Sequence, residues 1–398
     1  MKTKLITHIC FLVPFILTTF NLQVFVTRLV SNVLAQIIAY GNLGLLFLGI
    51  ALTLKNKGPL SKTARLWIIF YLLYYLFATL ASAIHFNPAN ILISIIPFVY
   101  VLAFYVYLSH TENRKVFIKV AIIAFVTSGI LSIHLFNINF DLDRGGIYIY
   151  KMDRSGGVYA DANNTALAAI ITFVLVFKMY QPQKKFFKIF KLLILAITTY
   201  GLLLTFSNTG FMVFIICLVM LNHKFFTGVR LIAGISMLPF VYLALANLNT
   251  LTADLNLVGQ QRDKINNIVN IVTFNTGEVD DSGRNELVMS LINDYVFVNP
   301  FIGNGVDFAI SRHAHNTIVG VWADAGIFTL VFFLFMLGRY FLGALRSPPD
   351  IRYFVLPLLF VMCVFMLSLQ SVINQPYLMA LFIYLGYLVD FGKDYNTE

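Results

Sequence analysis

The sequence predicts an all-α, polytopic membrane helical bundle of about twelve transmembrane helices. Three observations predict it. Of the 398 residues, 59% are apolar and 12% are charged, whereas about a quarter of a soluble domain is charged. The apolar residues fall in continuous runs of about 20, the length that crosses a bilayer as a helix. The basic residues gather in alternate loops. A membrane β-barrel would instead show short strands of alternating polarity. Soluble globular, disordered and disulfide-rich classes do not fit a mean hydropathy of +0.82.

Twelve spans are expected, at roughly 5–26, 33–54, 64–84, 90–109, 116–137, 162–180, 187–206, 210–222, 229–247, 316–337, 353–371 and 376–391. The first follows Lys2 and Lys4 but is longer than a signal h-region and lacks a small-x-small cleavage site, so it reads as an uncleaved anchor. The eighth is short and the ninth contains Pro239, so both are candidates for broken or tilted helices. With the N-terminus inside, the inside loops hold 20 of the 28 basic residues, including Lys184, Lys185, Arg339, Arg346, Arg352 and Lys393. Five acidic residues lie inside and thirteen outside. Both termini are then cytoplasmic. The net charge of +10 therefore reports topology and contact with membrane lipids, not nucleic acid. Cys10, Cys217 and Cys363 each lie in an apolar run and read as small buried hydrophobes.

Residues 1–398 are expected to form a single integral membrane domain, with 248–315 as a large outside loop before the tenth helix. In that loop, Val258, Ile265, Ile268, Val269 and Val272 recur at helical spacing. FNTGEVDDSG (274–283) is turn chemistry. RNELVMSLINDYVF (284–297) reads as a second helix, capped by Asp281 or Ser282 and stopped before Pro300.

Polar residues gather in three outside segments. These are Arg154-Ser155-Gly156-Gly157 running into Asp161-Ala162-Asn163-Asn164; Ser207-Asn208-Thr209-Gly210; and Arg284 with Arg312-His313-Ala314-His315-Asn316. Taken alone, Asn163 and Asn164 read as an N-cap, and Gly303 and Gly305 as turn formers. Together the segments sit at helix ends on one side, where free N–H groups favour anions. Arginines grip phosphate through paired hydrogen bonds and stay charged. His315 is the general-base candidate near neutral pH, and Asn316 is placed to orient it or a substrate hydroxyl. Asp324, inside span ten, is expected to line the cavity and pair with an arginine.

These residues resemble the signature of the O-antigen ligase/polymerase superfamily. The matching pieces are Gly283-Arg284 opening a helix, the Pro300 to Gly305 turn, His315-Asn316, and Ala325-Gly326-Ile327. RSGGVYADANNTALA (154–168) and TFSNTGFMVF (205–214) resemble two earlier segments of that family. Asn208 stands where the family usually has arginine, and Leu287-Val288-Met289 lacks a tryptophan often found there. The resemblance implies a GT-C-like fold with a large periplasmic loop. It also implies an inverting glycosyltransferase of a bacterial inner membrane, working in surface polysaccharide biosynthesis at the periplasmic face. The implied donor is an undecaprenyl-pyrophosphate-linked glycan. The implied acceptor is a hydroxyl, on a growing glycan (polymerase, slightly preferred) or on lipid A-core (ligase). No metal and no cofactor is implied. Arg284 would bind pyrophosphate and His315 would take the acceptor proton. Arg154, Arg312, His313, Asn316, Asn208 and Asn163 are the further substrate-binding candidates. The alternative class is a polysaccharide-precursor transporter or flippase.

Overall fold

The computed structural model describes residues 2–86, 91–225, 228–255, 257–275, 277, 283–313, 315–370 and 372–392. The expected caps Asp281 and Ser282, the turn residues 276 and 278–280, and Lys393 lie outside these described residues.

In chain order the helices begin with α1 (Lys2–Thr19), α2 (Leu22–Leu29), α3 (Asn32–Leu54), α4 (Lys62–Ile84), α5 (Ile91–Ser94), α6 (Ile96–Tyr107) and α7 (Thr111–Asn137). Then come α8 (Ala162–Met179), α9 (Lys185–Leu204), α10 (Asn208–Leu221), α11 (Val229–Ala246), α12 (Leu248–Leu251) and α13 (Gly259–Val272). The last are α14 (Arg284–Leu291), α15 (Phe308–Ser311), α16 (Thr317–Arg346), α17 (Pro349–Phe365) and α18 (Pro376–Phe391). A two-residue antiparallel pair, Phe140–Asp141 with Gly146–Ile147, is the one sheet among the described residues. The chain forms two compact units: Met1–Ser128 with Arg284–Glu398, and Gly129–Gly283.

Six helices among the described residues are long and apolar enough to cross a membrane: α3, α4, α7, α8, α9 and α16. A seventh span results if α1 and α2, which meet at 59°, count as one. This is a multi-pass membrane protein. The expected first span is thus bent, and the bend has a local cause. Asn21 adopts a left-handed conformation (φ 50°), which its short polar side chain tolerates better than an apolar one. The expected fourth, eighth and twelfth spans appear as helices of 12, 14 and 16 residues. At 1.5 Å per residue these are about 18–24 Å long, short of a hydrocarbon core of about 30 Å.

In the first unit α18 is the central helix. Every residue from Tyr377 to Leu388 is buried, as an all-round apolar helix requires. It packs on α4, α6 and α16, where Trp67, Phe70, Tyr71, Phe333 and Phe382 form an aromatic cluster. In the second unit α8 is mostly buried, whereas its neighbour α9 leaves Phe186, Ile189 and Leu192 more than 60% exposed. An apolar face this broad is at home against lipid.

The long helix α16 is broken at Gly326, which has φ 76° and ψ 177°. In an unbroken helix the carbonyls of Ala323 and Asp324 would accept from residues 327 and 328. Here the loop 300–305 supplies the partners. Asn304 N–H donates to Ala323 O (2.8 Å) and Gly305 N–H to Asp324 O (3.1 Å). In return Ile327 N–H donates to Pro300 O (2.9 Å), which also accepts from Trp322 Nε1 (3.0 Å). The fit is close enough that a Cβ on Gly326 would overlap the Phe301 carbonyl, and one on Gly303 the Asp324 carbonyl.

Gly326→Ala is therefore expected to cost more than about 3 kcal/mol, since positive φ and backbone overlap act together. Gly338→Ala in the same helix, where a Cβ meets open space, is expected to stabilise by up to about 1 kcal/mol through helix propensity. Thermal unfolding of both variants in detergent checks this; equal midpoints would contradict it.

Candidate functional site

The sequence candidates divide between the units. Arg154, Asn163 and Asn208 belong to the second; Arg284, Arg312, His313, His315 and Asn316 belong to the first.

In the second unit the 154–164 and 205–210 segments come together. Arg154 Nε donates to Thr205 O (2.9 Å), and Ser155 N–H donates to Leu204 O (2.9 Å). Both bonds satisfy carbonyls at the C-terminus of α9, so part of the Arg154 guanidinium is engaged by backbone. The tight turn that follows needs Gly157, whose φ is +52° and whose missing side chain leaves room for Ser132. Ser132 Oγ accepts from Val158 N–H (3.2 Å). The cap of α8 is Asp161, which accepts from Asn164 N–H (2.7 Å), rather than Asn163 or Asn164. The buried Asn163 instead accepts from Ser207 Oγ (2.8 Å), and Ser207 caps α10 by accepting from Gly210 N–H (3.0 Å). Beside this link, Asn208 Oδ1 is buried and without a partner among the described residues. Gln261, on α13, donates to Asp153 O (2.8 Å) and so holds the amphipathic helix to the same segment.

In the first unit α14, the loop 300–305 and the start of α16 pack together. α14 continues into a π turn, Ile292–Val296. Leu291 and Val296 bury against Ala309 and Ala323, with Tyr295, Phe308, Val319 and Trp322 packed around them. The Arg312 guanidinium lies over Tyr295 (4.6 Å) and Phe308 (5.3 Å), a cation–π arrangement that ties the RHAHN segment to the preceding helix. Arg284 opens α14, and neither it nor Arg312 has a carboxylate partner among the described residues. His313 and His315 both adopt left-handed backbone, with φ of 53° and 44°. Each such residue costs of order 1–3 kcal/mol. Asn316 Oδ1 caps α16, accepting from Ile318 and Val319 N–H (3.0 and 3.1 Å). That oxygen is therefore committed to the helix rather than to the His315 imidazole.

Asp324 corrects a second expectation. It is buried, but its partners are not arginines. Oδ2 accepts from Tyr74 OH (2.8 Å) and Oδ1 from Ala309 N–H (2.7 Å). The network extends outward from there. Gln370 Nε2 donates to Ala309 O (2.7 Å), Asn374 Nδ2 to Asp307 Oδ1 (3.0 Å), and Asp307 N–H to Tyr74 OH (3.4 Å). Thr317, in the first turn of α16, donates to Leu369 O (2.6 Å). Sequence reasoning did not single out Tyr74, Asp307, Gln370 or Asn374. The available signal was three polar side chains at or beside span ends, Asp307, Gln370 and Asn374; Tyr74 stands mid-span in an apolar run and gave none.

Cys10 and Cys217 are buried and Cys363 part-buried, all as free thiols. His8 and His110 have structural partners, Tyr107 OH (2.8 Å) and Asn56 O (2.6 Å). Among the described residues no three His, Cys, Asp or Glu side chains gather as a metal site would require. No family model matches the chain, and no curated protein matches it.

Tyr74→Phe, which removes one donor to a buried carboxylate, is expected to destabilise by about 1–3 kcal/mol. Asp324→Leu is expected to cost more, because it strands both the Tyr74 hydroxyl and the Ala309 N–H. Thermal unfolding in detergent measures both, and an unchanged midpoint for Asp324→Leu would remove the carboxylate from any structural role.

Proposed function

We propose that this protein is a membrane glycosyltransferase of the O-antigen ligase/polymerase type, with polymerase ahead of ligase. In this reading it has about twelve spans in a GT-C-like arrangement, with both termini in the cytoplasm of a bacterial cell. It moves a glycan from undecaprenyl pyrophosphate to a hydroxyl acceptor at the periplasmic face of the inner membrane. The observation that carries the proposal is the placement of Arg312 over the turn that continues α14, with Asn316 capping α16 close by in sequence. Two arginines without carboxylate partners among the described residues and a histidine in strained backbone belong to this part of the first unit. Strained backbone that packing holds in place is characteristic of functional sites.

In the proposed mechanism Arg284 and Arg312 stabilise the pyrophosphate leaving group by charge-assisted hydrogen bonds. His315 accepts the proton of the acceptor hydroxyl as that oxygen attacks the anomeric carbon. The glycosyl–phosphate bond breaks with inversion, and its electron pair leaves on the pyrophosphate. His313 and Asn316 flank this base. Arg154, Asn163 and Asn208 are the further substrate-binding residues of the proposal.

A transporter reading has one observation in its favour, the break in α16, since transporters use discontinuous helices to bind substrate. In this chain the freed groups at Ala323, Asp324 and Ile327 are already taken by the loop 300–305. They are not left to coordinate cargo, and the glycosyltransferase reading stands ahead.

Reconstitution with undecaprenyl-pyrophosphate repeat units tests the proposal. Lipid-linked ladders without an added acceptor indicate a polymerase; product only with lipid A-core indicates a ligase. Arg284→Ala and His315→Ala are each expected to abolish transfer while leaving the thermal midpoint within a few degrees of wild type. Activity is expected to persist in EDTA. Wild-type rates in either variant would remove that residue's role, and transport without transfer would favour the second reading.

A further inference from the structure

At the C-terminal end of α16, far along the helix from the RHAHN segment, lies a cavity of about 320 Å³. It is lined by Arg339, Arg346, Ser347, Thr63 and Asp390, with Leu342 on its wall. Arg339 and Arg346 are seven residues apart, so they share one helix face about 10.5 Å apart along the axis. Both are exposed, and neither has a carboxylate partner among the described residues. The one lining carboxylate, Asp390, is otherwise committed. It accepts from Ser61 Oγ (2.7 Å), Thr63 N–H (2.8 Å) and Thr63 Oγ1 (2.6 Å). Those three bonds fix it at the N-terminus of α4, where the helix dipole also favours a negative charge. The floor of the cavity depends on Gly343, because a Cβ there would stand 2.5 Å from Val389 Cγ1 of α18.

The surroundings indicate what kind of anion fits. Phe328, Val331, Phe335, Leu342 and Leu345 leave an exposed apolar stripe along α16. Gly338 adds a notch, with open space where a side chain would be. The stripe leads to the two arginines, so a ligand with an anionic head and apolar chains satisfies both. The charge distribution of the sequence assigns this end of α16 to the cytoplasmic side, where basic pockets between spanning helices take phosphate headgroups.

We propose that this cavity binds the phosphodiester headgroup of an anionic phospholipid, with Arg339 and Arg346 holding the phosphate and the acyl chains lying along α16. The proposal does not rest on the glycosyltransferase reading.

The test is native mass spectrometry of the delipidated full chain titrated with phosphatidylglycerol, phosphatidylethanolamine or glycerol 3-phosphate. Preferential retention of phosphatidylglycerol is expected, with affinity falling about fivefold for each arginine lost in R339Q and R346Q. R339K/R346K is expected to keep most of the binding, which separates loss of charge from loss of fold. K184Q/K185Q, with the same change in net charge elsewhere, is expected to bind as wild type does. Equal affinity of R339Q/R346Q and wild type for phosphatidylglycerol would overturn the proposal, as would equal retention of the two lipids. Glycerol 3-phosphate binding as tightly as the lipid would overturn the lipid source.

Discussion

The hydrogen bonds that repair the break at Gly326 organise the first unit. A helix that changes direction inside a membrane protein leaves backbone groups that lipid cannot satisfy. Here the loop 300–305 fills the gap as a short third strand of backbone, with Asn304, Gly305 and Pro300 matching Ala323, Asp324 and Ile327. That match fixes the loop against α16 in one register. Everything between them in sequence, α15 and the RHAHN segment, then becomes a closed excursion with both ends anchored. The break therefore anchors both ends of the stretch that carries α15, His313 and His315.

The buried carboxylate of Asp324 belongs to the same device. Burying a charge without a partner is costly, yet no arginine is brought to it. Its acceptors go to a hydroxyl from α4 and an N–H from α15. One side chain thus joins the spanning helix behind the site to the short helix beneath Arg312. Gln370 and Asn374 approach from the loop after α17 and hold Ala309 and Asp307 from the other side. The left-handed residues Asp307, His313 and His315 all fall in this excursion, and its anchors supply the free energy that offsets their strain.

Much of this architecture is legible in the sequence because it follows from local chemistry. The reading 162–180 meets a helix at Ala162–Met179, and 376–391 meets Pro376–Phe391, since capping residues and proline mark those ends. Gly303 and Gly305 read as turn formers, and in the loop 300–305 they have φ of 86° and 129°. What they dock against was not legible, because the partner carbonyls lie about 20 residues away with no periodicity linking them. Tyr74 is harder still. It stands in an apolar run, and its carboxylate partner is 250 residues distant. Asn316 was read for its chemistry, but capping took its acceptor. Local bonding to backbone N–H groups is a use of Asn316 that its chemistry alone did not reveal.

Hydropathy also fails to distinguish exposed helices from enclosed ones, but the reach of some polar side chains helps. α9 is exposed along most of its length, and its Thr198 and Thr199 donate to their own helix at Ile194 O and Leu195 O (2.8 and 2.9 Å). Buried threonines do the same, Thr172 on α8 and Thr329 on α16, so that bond does not tell the two environments apart. α18 is just as apolar in aspect, yet its tyrosines reach outward. Tyr387 OH donates to Tyr105 O (2.6 Å), and Gly386 lets Tyr340 and Ala64 approach closely. A tyrosine that reaches a neighbouring backbone, or a glycine whose Cβ position is already taken by a neighbour, marks a contact with protein. By that criterion α18 must be enclosed, and a helix enclosed by others is relieved of matching the bilayer's thickness. That is why 16 residues suffice at the centre of this unit, while α4 and α16, which pack on it, run to 23 and 30 residues.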